Sequence, residues 1–201
     1  LRLAASMQEI TDVCVSTDHH KIAAAANEHD NVTVVDRPES LSGDRVADVS
    51  VLHHAVAEIE ELTGQLFDIV VMLQVTSPLR TTEDVYSSLS LLSSSHCDAV
   101  WTVSPTELHY HPLKQLTLDG QSQLKLYDNR GLQIVARQQL EPVFHRNGCC
   151  YAVRRDFLVD ADSLYSPGAT RAVVSEGPRV NIDSYDDVAL AERLLAEVRG
   201  S

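Results

Sequence analysis

Positive charge is scarce in this chain. Sixteen Lys and Arg stand against twenty-nine Asp and Glu, a net charge of −13 with histidine neutral. Such a surface repels phosphate backbones and anionic lipid, which argues against nucleic acid and membranes as partners. An anionic ligand must be held by a local group of Arg, Lys or backbone N–H donors. No hydrophobic run approaches the ~20 residues of a membrane-spanning helix. The run Ile69-Val70-Val71-Met72-Leu73 has the length of a buried strand. No signal peptide is recognisable. None of the four cysteines forms a Cys-x-x-Cys pair, and the vicinal Cys149-Cys150 suits neither a disulfide framework nor a zinc site. A reducing, cytoplasmic setting is expected. Repeats and low-complexity tracts are lacking, apart from Ser93-Ser94-Ser95, and the first residue is Leu1, not Met.

The 201 residues are 44% hydrophobic and 22% charged, the composition of one packed domain. Short apolar runs alternate with amphipathic segments. Strands are expected at Val13–Ser16, Val32–Val35, Asp68–Gln74 and Asp98–Val103. Between them lie an Ala-rich helix from His20 to His29, preceded by the cap types Ser16-Thr17-Asp18, and an amphipathic helix over 46–62. A further helix opens at Thr81, with Asp84 three residues on, and runs to about Leu92. Strands apolar on both faces and alternating with helices predict a mainly parallel sheet covered on both sides. Ligands then bind beyond the carboxyl ends of the strands, at Ser16–Asp18, Gln74–Pro78 and Ser104 onward.

From Pro105 to Pro167 the pattern changes to short alternating runs, Leu113–Leu118 and Leu124–Tyr127 around the turn Asp119-Gly120, which predicts an antiparallel insertion. Regular α/β reading resumes at Arg179–Asp183, expected as a strand end, and closes with a helix over 184–198. The expected division is an α/β core, 1–104 and 168–201, with 105–167 as an insertion.

Leu73-Gln74-Val75-Thr76-Ser77-Pro78-Leu79-Arg80 runs a buried strand into polar groups, a Pro-fixed turn and a helix start. It resembles the Leu-Gln-Pro-Thr-Ser-Pro-Leu-Arg pattern of the acylneuraminate cytidylyltransferase family in seven of eight positions. Similar matches are Val15-Ser16-Thr17-Asp18, Arg37-Pro38-Glu39-Ser40-Leu41-Ser42-Gly43-Asp44, His111-Pro112-Leu113-Lys114, Arg137-Gln138-Gln139-Leu140, Asn147-Gly148 with Tyr151, and Asn181-Ile182-Asp183 with Asp187. Two departures stand out. The family's Gly-rich phosphate loop is absent before Leu1, and is expected to exist in the protein but to be missing from the sequence at hand. Asn181 stands where the family has its first metal-binding Asp; an amide oxygen still ligates a hard cation, with less charge.

The resemblance implies a three-layer, Rossmann-like nucleotide-diphosphosugar transferase fold with a small antiparallel dimerisation insertion. It implies an enzyme that transfers CMP from CTP to the anomeric hydroxyl of a sialic-acid-like nonulosonic acid (an N-acylneuraminate, legionaminate or pseudaminate) with release of pyrophosphate. Magnesium is the implied cofactor, CTP and an acidic nine-carbon sugar the ligands, and a homodimer the assembly. The octulosonate enzymes resemble the 74–80 string less. A non-catalytic nucleotide- or sugar-binding homologue, acting as a dimeric interaction module, is the alternative.

The implied roles fall on eight residues. Asp183 is a metal ligand with Asn181 beside it, or else a helix cap; Asp187 reads as the cap. Arg137 clamps the sugar carboxylate or is a surface Arg in a strand. Gln74 reads sugar hydroxyls or amide, or is a satisfied buried amide. Arg37 reaches the cytidine or is an ordinary loop Arg, Lys114 helps at the insertion hinge or is an exposed hairpin Lys, and Tyr151 enters the partner subunit's sugar site or is a core aromatic. Tyr165, beside Leu164, contacts the acyl side of the sugar. His19-His20 and His53-His54 point apart within each pair. His109 and His111 would share a strand face, but no third ligand follows, so no zinc site is expected. Cys149 and Cys150 are expected as core thiols.

Overall fold

The computed structural model describes residues 1–199. The chain opens with a short helix α1 (Arg2–Ser6), then β1 (Val13–Thr17), α2 (His20–Ala26), β2 (Val32–Asp36), α3 (Asp48–Thr63), β3 (Ile69–Met72), α4 (Thr82–Ser94) and β4 (Ala99–Pro105). An excursion carries the hairpin β5 (Leu116–Leu118) and β6 (Leu124–Leu126). The chain returns as β7 (Phe144–Arg154), α5 (Arg155–Leu158), β8 (Thr170–Val174) and α6 (Tyr185–Arg199).

Alternation along the strands splits the core into two faces. Ile69, Val71, Val100, Cys150 and Ala152 pack with Val85 and Leu92 of α4. Their neighbours Val70, Met72, Ala99, Trp101 and Val153 pack with Val49, Leu52 and Val56 of α3. A strand presents successive side chains to opposite faces, so this partition makes three layers, helix, sheet, helix. A third cluster joins Leu79 and Val180 to Ala191, Leu194 and Leu195 of α6.

The main sheet has the order β3-β7-β4-β8, and β1 and β2 form a separate parallel pair. β3, β4 and β8 share one direction, as a mainly parallel sheet requires, while β7 alone runs antiparallel to β3 and β4 and makes the sheet mixed. The reason is visible in burial. Asn147–Val153 is buried at every position, covered on both faces, and such a run carries no sign of strand direction. β7 and α5 fall within 105–167, so that segment supplies the middle of the sheet as well as the excursion, which occupies about 106–143.

Two local expectations change. Arg179–Asp183 is not a strand; Ile182 N donates to Thr76 O at 2.8 Å, outside any ladder, after a left-handed Gly177 and Pro178. The α2 cap is His19, whose Nδ1 accepts from Lys21 N at 3.2 Å. The Thr81–Asp84 capping box forms as read, with Thr81 N donating to Asp84 Oδ2 at 2.8 Å and Asp84 N to Thr81 Oγ1 at 3.2 Å.

Candidate active site

The carboxyl ends of β3, β4 and β8 meet at one edge, where the Gln74–Arg80 loop crosses the start of β7. The β4–β7 ladder breaks there, between Trp101 opposite Tyr151 and Val103 opposite Arg146. The bulged segment contains Gly148 at φ +69°. A Cβ on Gly148 would lie 2.3 Å from Gln74 Oε1 and 2.4 Å from Ser77 Oγ, so a side chain there would be strained by the backbone and would have to displace both groups. The absent side chain lets the site loop lie on β7.

Polar groups take over the work of the broken ladder. Thr102 Oγ1 donates to Asn147 Oδ1 (2.7 Å) and accepts from Cys150 N (2.8 Å). Asn147 Nδ2 donates to Ser104 Oγ (3.1 Å) and Ser175 Oγ (2.9 Å), and Ser77 Oγ donates to the Asn147 carbonyl at 2.8 Å. Arg80 donates to the carbonyls of Gln74, Gly148 and Cys149, pinning the loop to the bulge. One side-chain amide, Asn147, thus ties β4, β7 and β8 together beneath the loop. Buried polar groups cost free energy unless paired, and here they are paired.

A second tie lies beside it. Arg179 Nη2 sits 3.0 Å from Asp84 Oδ2, with the two side chains 10% and 3% exposed. Burial alone would push the Asp84 carboxyl up, but hydrogen bonds from Thr81 N, Ser175, the Thr81 hydroxyl and Arg179 outweigh it and hold it below its ordinary value.

On the α3 face of the sheet a cleft of about 170 Å³ opens between the start of α3 and residues 162–164. Met72, Trp101 and Tyr151 form its apolar wall; Asp48, Asp162 and Arg146 supply charge. Tyr151 stacks edge-on to Trp101 (5.2 Å), and Tyr165 does so from outside (5.7 Å). The Arg146 guanidinium lies over the Trp101 ring, 5.7 Å from its centroid.

The predicted residues are distributed as follows. Gln74 lies on the loop, against Gly148. Tyr151 is buried in its own chain at 5% exposure; its hydroxyl accepts from Gly148 N, and burial pushes its phenol up. Within this chain it therefore packs as the core aromatic that was the alternative reading. Tyr165 is half exposed at the cleft's outer side. Arg37 is spent on the Ser16 turn, donating from Nε to Ser16 Oγ at 3.1 Å and from Nη2 to the Ser16 carbonyl. Lys114 is exposed in a 3₁₀ turn, and Arg137 opens another, Arg137–Gln139, rather than lying in a strand. Neither lines the cleft.

Asn181 and Asp183 are exposed and adjacent, Asn181 Nδ2 donating to Asp183 Oδ2 at 2.9 Å. Asp187 Oδ2 accepts from Asp183 N, Ser184 N and Ser184 Oγ, which makes it the cap of α6 and, led by the Ser184 hydroxyl, keeps its carboxyl low. Among the described residues no three His, Cys, Asp or Glu side chains converge as a metal cage. His109 sits in a 3₁₀ turn and His111 links it to the next; His111 accepts from Leu113 N through Nδ1 and meets the Glu141 carbonyl through Nε2. Cys149 and Cys150 are buried thiols, and burial pushes Cys150 up to about 12. Sequence reading missed Arg146, Asp48, Asp162 and Arg179. The available signals were the lone tryptophan and a His145-Arg146 basic pair in an acidic chain.

Comparisons with known proteins agree with this architecture. Among relatives, the Post-translational flagellin modification protein B of Campylobacter coli is 25% identical over 186 residues, covering 92% of this chain and 77% of that protein. A CMP-N,N'-diacetyllegionaminic acid synthase of Legionella pneumophila is 28% identical over 191 residues, covering 92% and 78%. An N-acylneuraminate cytidylyltransferase of Streptococcus agalactiae serotype V is 25% identical over 185 residues; the chain spans 92% of itself but only 43% of that protein. Among solved structures, a CMP:2-keto-3-deoxy-manno-octonic acid synthetase complexed with CTP superposes with a TM-score of 0.68 at 15% identity, over 98% of this chain and 85% of that one, a likeness of fold. No helix among the described residues is long and apolar enough to cross a membrane. The family model for cytidylyltransferases matches residues 1–164, and the chain belongs to that family.

Proposed function

We propose that the protein transfers CMP from CTP to the anomeric hydroxyl of a sialic-acid-like nonulosonic acid: an N-acylneuraminate, legionaminate or pseudaminate. The sugar oxygen attacks the α-phosphorus, the new O–P bond forms, and the bond to pyrophosphate breaks. Such chemistry needs positioning and charge neutralisation more than covalent participation by the protein. The observation that carries the reading is the Leu73–Arg80 string, pinned by Arg80 to the bulge of β7 at the carboxyl edge of the sheet, where α/β folds bind ligands.

In this reading Gln74 meets the sugar's polar groups and Arg37 shapes the cytidine side through the Ser16 turn. Tyr151 and Tyr165 border the sugar. Lys114 and Arg137 approach the substrates from the excursion. The division into a core, 1–104 and 168–201, and an inserted segment, 105–167, is kept as the functional one.

The donor set at Asn181 and Asp183 fits magnesium: one exposed carboxylate, steadied on Oδ2 by the Asn181 amide N–H, and one amide oxygen suit a small hard cation that keeps waters and phosphate oxygens. When bound, the ion offsets phosphate charge. A homodimer is supported by the hairpin. Leu116, Leu118, Leu124 and Leu126 share one of its faces by register, the first three mostly exposed, and an isolated hairpin is marginal in water. A cytoplasmic location accords with the free thiols.

The full-length encoded protein, incubated with CTP, magnesium and a panel of nonulosonic acids, is expected to release pyrophosphate with at least one. Release with none sinks the reading. It would leave the non-catalytic dimeric module, which the amide at Asn181 favours.

A further inference from the structure

We infer that Arg146 is the residue that reads the substrate's carboxylate, an inference that rests on the function proposed above. Three observations converge on it. First, Arg146 is the sole cation among the residues lining the Trp101 cleft, in a chain of net charge −13. Second, its guanidinium is steadied over the Trp101 ring without using its N–H groups, and it has no hydrogen bond or ion pair with any described residue, Asp48 and Asp162 included. A planar fork with its donors free is the group that matches a carboxylate bidentately. Third, Arg146 pairs with Val103 immediately beyond the bulge, so its backbone is fixed by the same ladder that seats Gln74 against Gly148.

The rest of the cleft suits a polyhydroxylated acid. Trp101 and Tyr151 offer flat apolar surface to a sugar's C–H face, and Asp48 and Asp162 accept from hydroxyl or amide N–H groups. Those two carboxylates also repel an anion. Only a guanidinium placed between them and the ligand makes a carboxylate welcome. Arg137, assigned this task from the sequence, is not among the lining residues.

Trp101 is the only tryptophan in the chain, so its fluorescence reports on this cleft without CTP or magnesium. The probes are N-acetylneuraminate and N,N'-diacetyllegionaminate, each against its neutral C1 methyl ester. The wild type is expected to bind at least one acid roughly ten- to a hundredfold more tightly than its ester, the range of a charge-assisted pair. In Arg146→Met that preference should vanish or reverse while ester binding stays within about threefold. Arg146→Lys, keeping charge but not the fork, should fall between. Retention of the acid preference in Arg146→Met overturns the inference, as does a wild type that shows none. Pyrophosphate release separates the two readings: an active enzyme with an Arg146-independent preference refutes Arg146 alone, and Arg146-dependent binding without turnover refutes the transferase alone.

Discussion

Arg179 and Asp84, ninety-five residues apart, meet below the site edge, with one guanidinium nitrogen 3.1 and 3.0 Å from the two carboxylate oxygens. Asp84 already caps α4, so the pair fastens the segment leading to Asn181 and Asp183 onto the helix that follows the Gln74 loop. Arg179 Nε, buried, has no hydrogen-bond partner among the described residues. Burying both charges costs about as much as their attraction returns, but removing one leaves the other stranded.

Arg179→Met should therefore lower unfolding stability by about 3–5 kcal/mol, read from urea denaturation. Asp84→Asn should cost a comparable amount, since it weakens the α4 cap too. The double substitution should cost clearly less than the two singles combined, because no lone charge remains. Additivity would show that the pair does not act as a unit.

Asp84 also predicts acid sensitivity. Its folded-state pKa lies below the unfolded value, so its contribution is fully present above the ordinary Asp value of about 3.9 and is lost as pH falls through the lower folded value. The difference in urea midpoint between wild type and Asp84→Asn should be constant above about pH 5 and shrink below pH 4. A difference that grows on acidification would reverse the sign and refute the assignment.

Gly148→Ala tests the bulge. The left-handed backbone costs an alanine about 1–3 kcal/mol, and the new methyl must displace the Gln74 side chain. We expect lower stability and a loss of activity larger than stability explains at a temperature where both proteins are folded. Unchanged KM and kcat would mean that Gln74 need not rest on Gly148.

Asp183 and Asp187 should separate cleanly. Asp187→Ala removes a cap and should lower the urea midpoint measurably without altering the magnesium dependence of pyrophosphate release. Asp183→Asn should leave the urea midpoint nearly unchanged while raising the magnesium concentration needed for half-maximal rate at least several-fold. The opposite pattern would exchange their roles.

The leucine face of the hairpin should govern assembly. Leu118→Asp with Leu124→Asp places two charges where the register sets these residues opposite each other. Sedimentation at micromolar concentration should show dimers of the wild type and monomers of the double variant. A wild type that is monomeric throughout would remove the hairpin's proposed role.

Much of this was readable from residues alone. The helices over Asp48–Thr63 and Thr82–Ser94 follow from apolar spacing and, for the second, a Thr-x-x-Asp box, because these signals act within a few residues. The Ser184–Asp187 cap is local in the same way. The Asn147-Gly148…Tyr151 pattern was visible only as a pattern. Its physical content, a bulge, a left-handed glycine and a hydroxyl accepting from Gly148 N, needs β4 beside β7.

By itself, then, the sequence determined the alternating strands and helices from Val13 to Pro105, the closing helix and the layered α/β class, since periodicity, capping and burial preference are properties of neighbouring residues. Only the tertiary structure decided that β7 runs antiparallel through the middle of the sheet, that Arg37 is spent on Ser16, that the Tyr151 hydroxyl accepts from Gly148 N, and that Arg146 rather than Arg137 faces the Trp101 cleft. Strand order and side-chain pairing depend on contacts between residues far apart along the chain, and a fully apolar strand or an isolated arginine carries no mark of its distant partner.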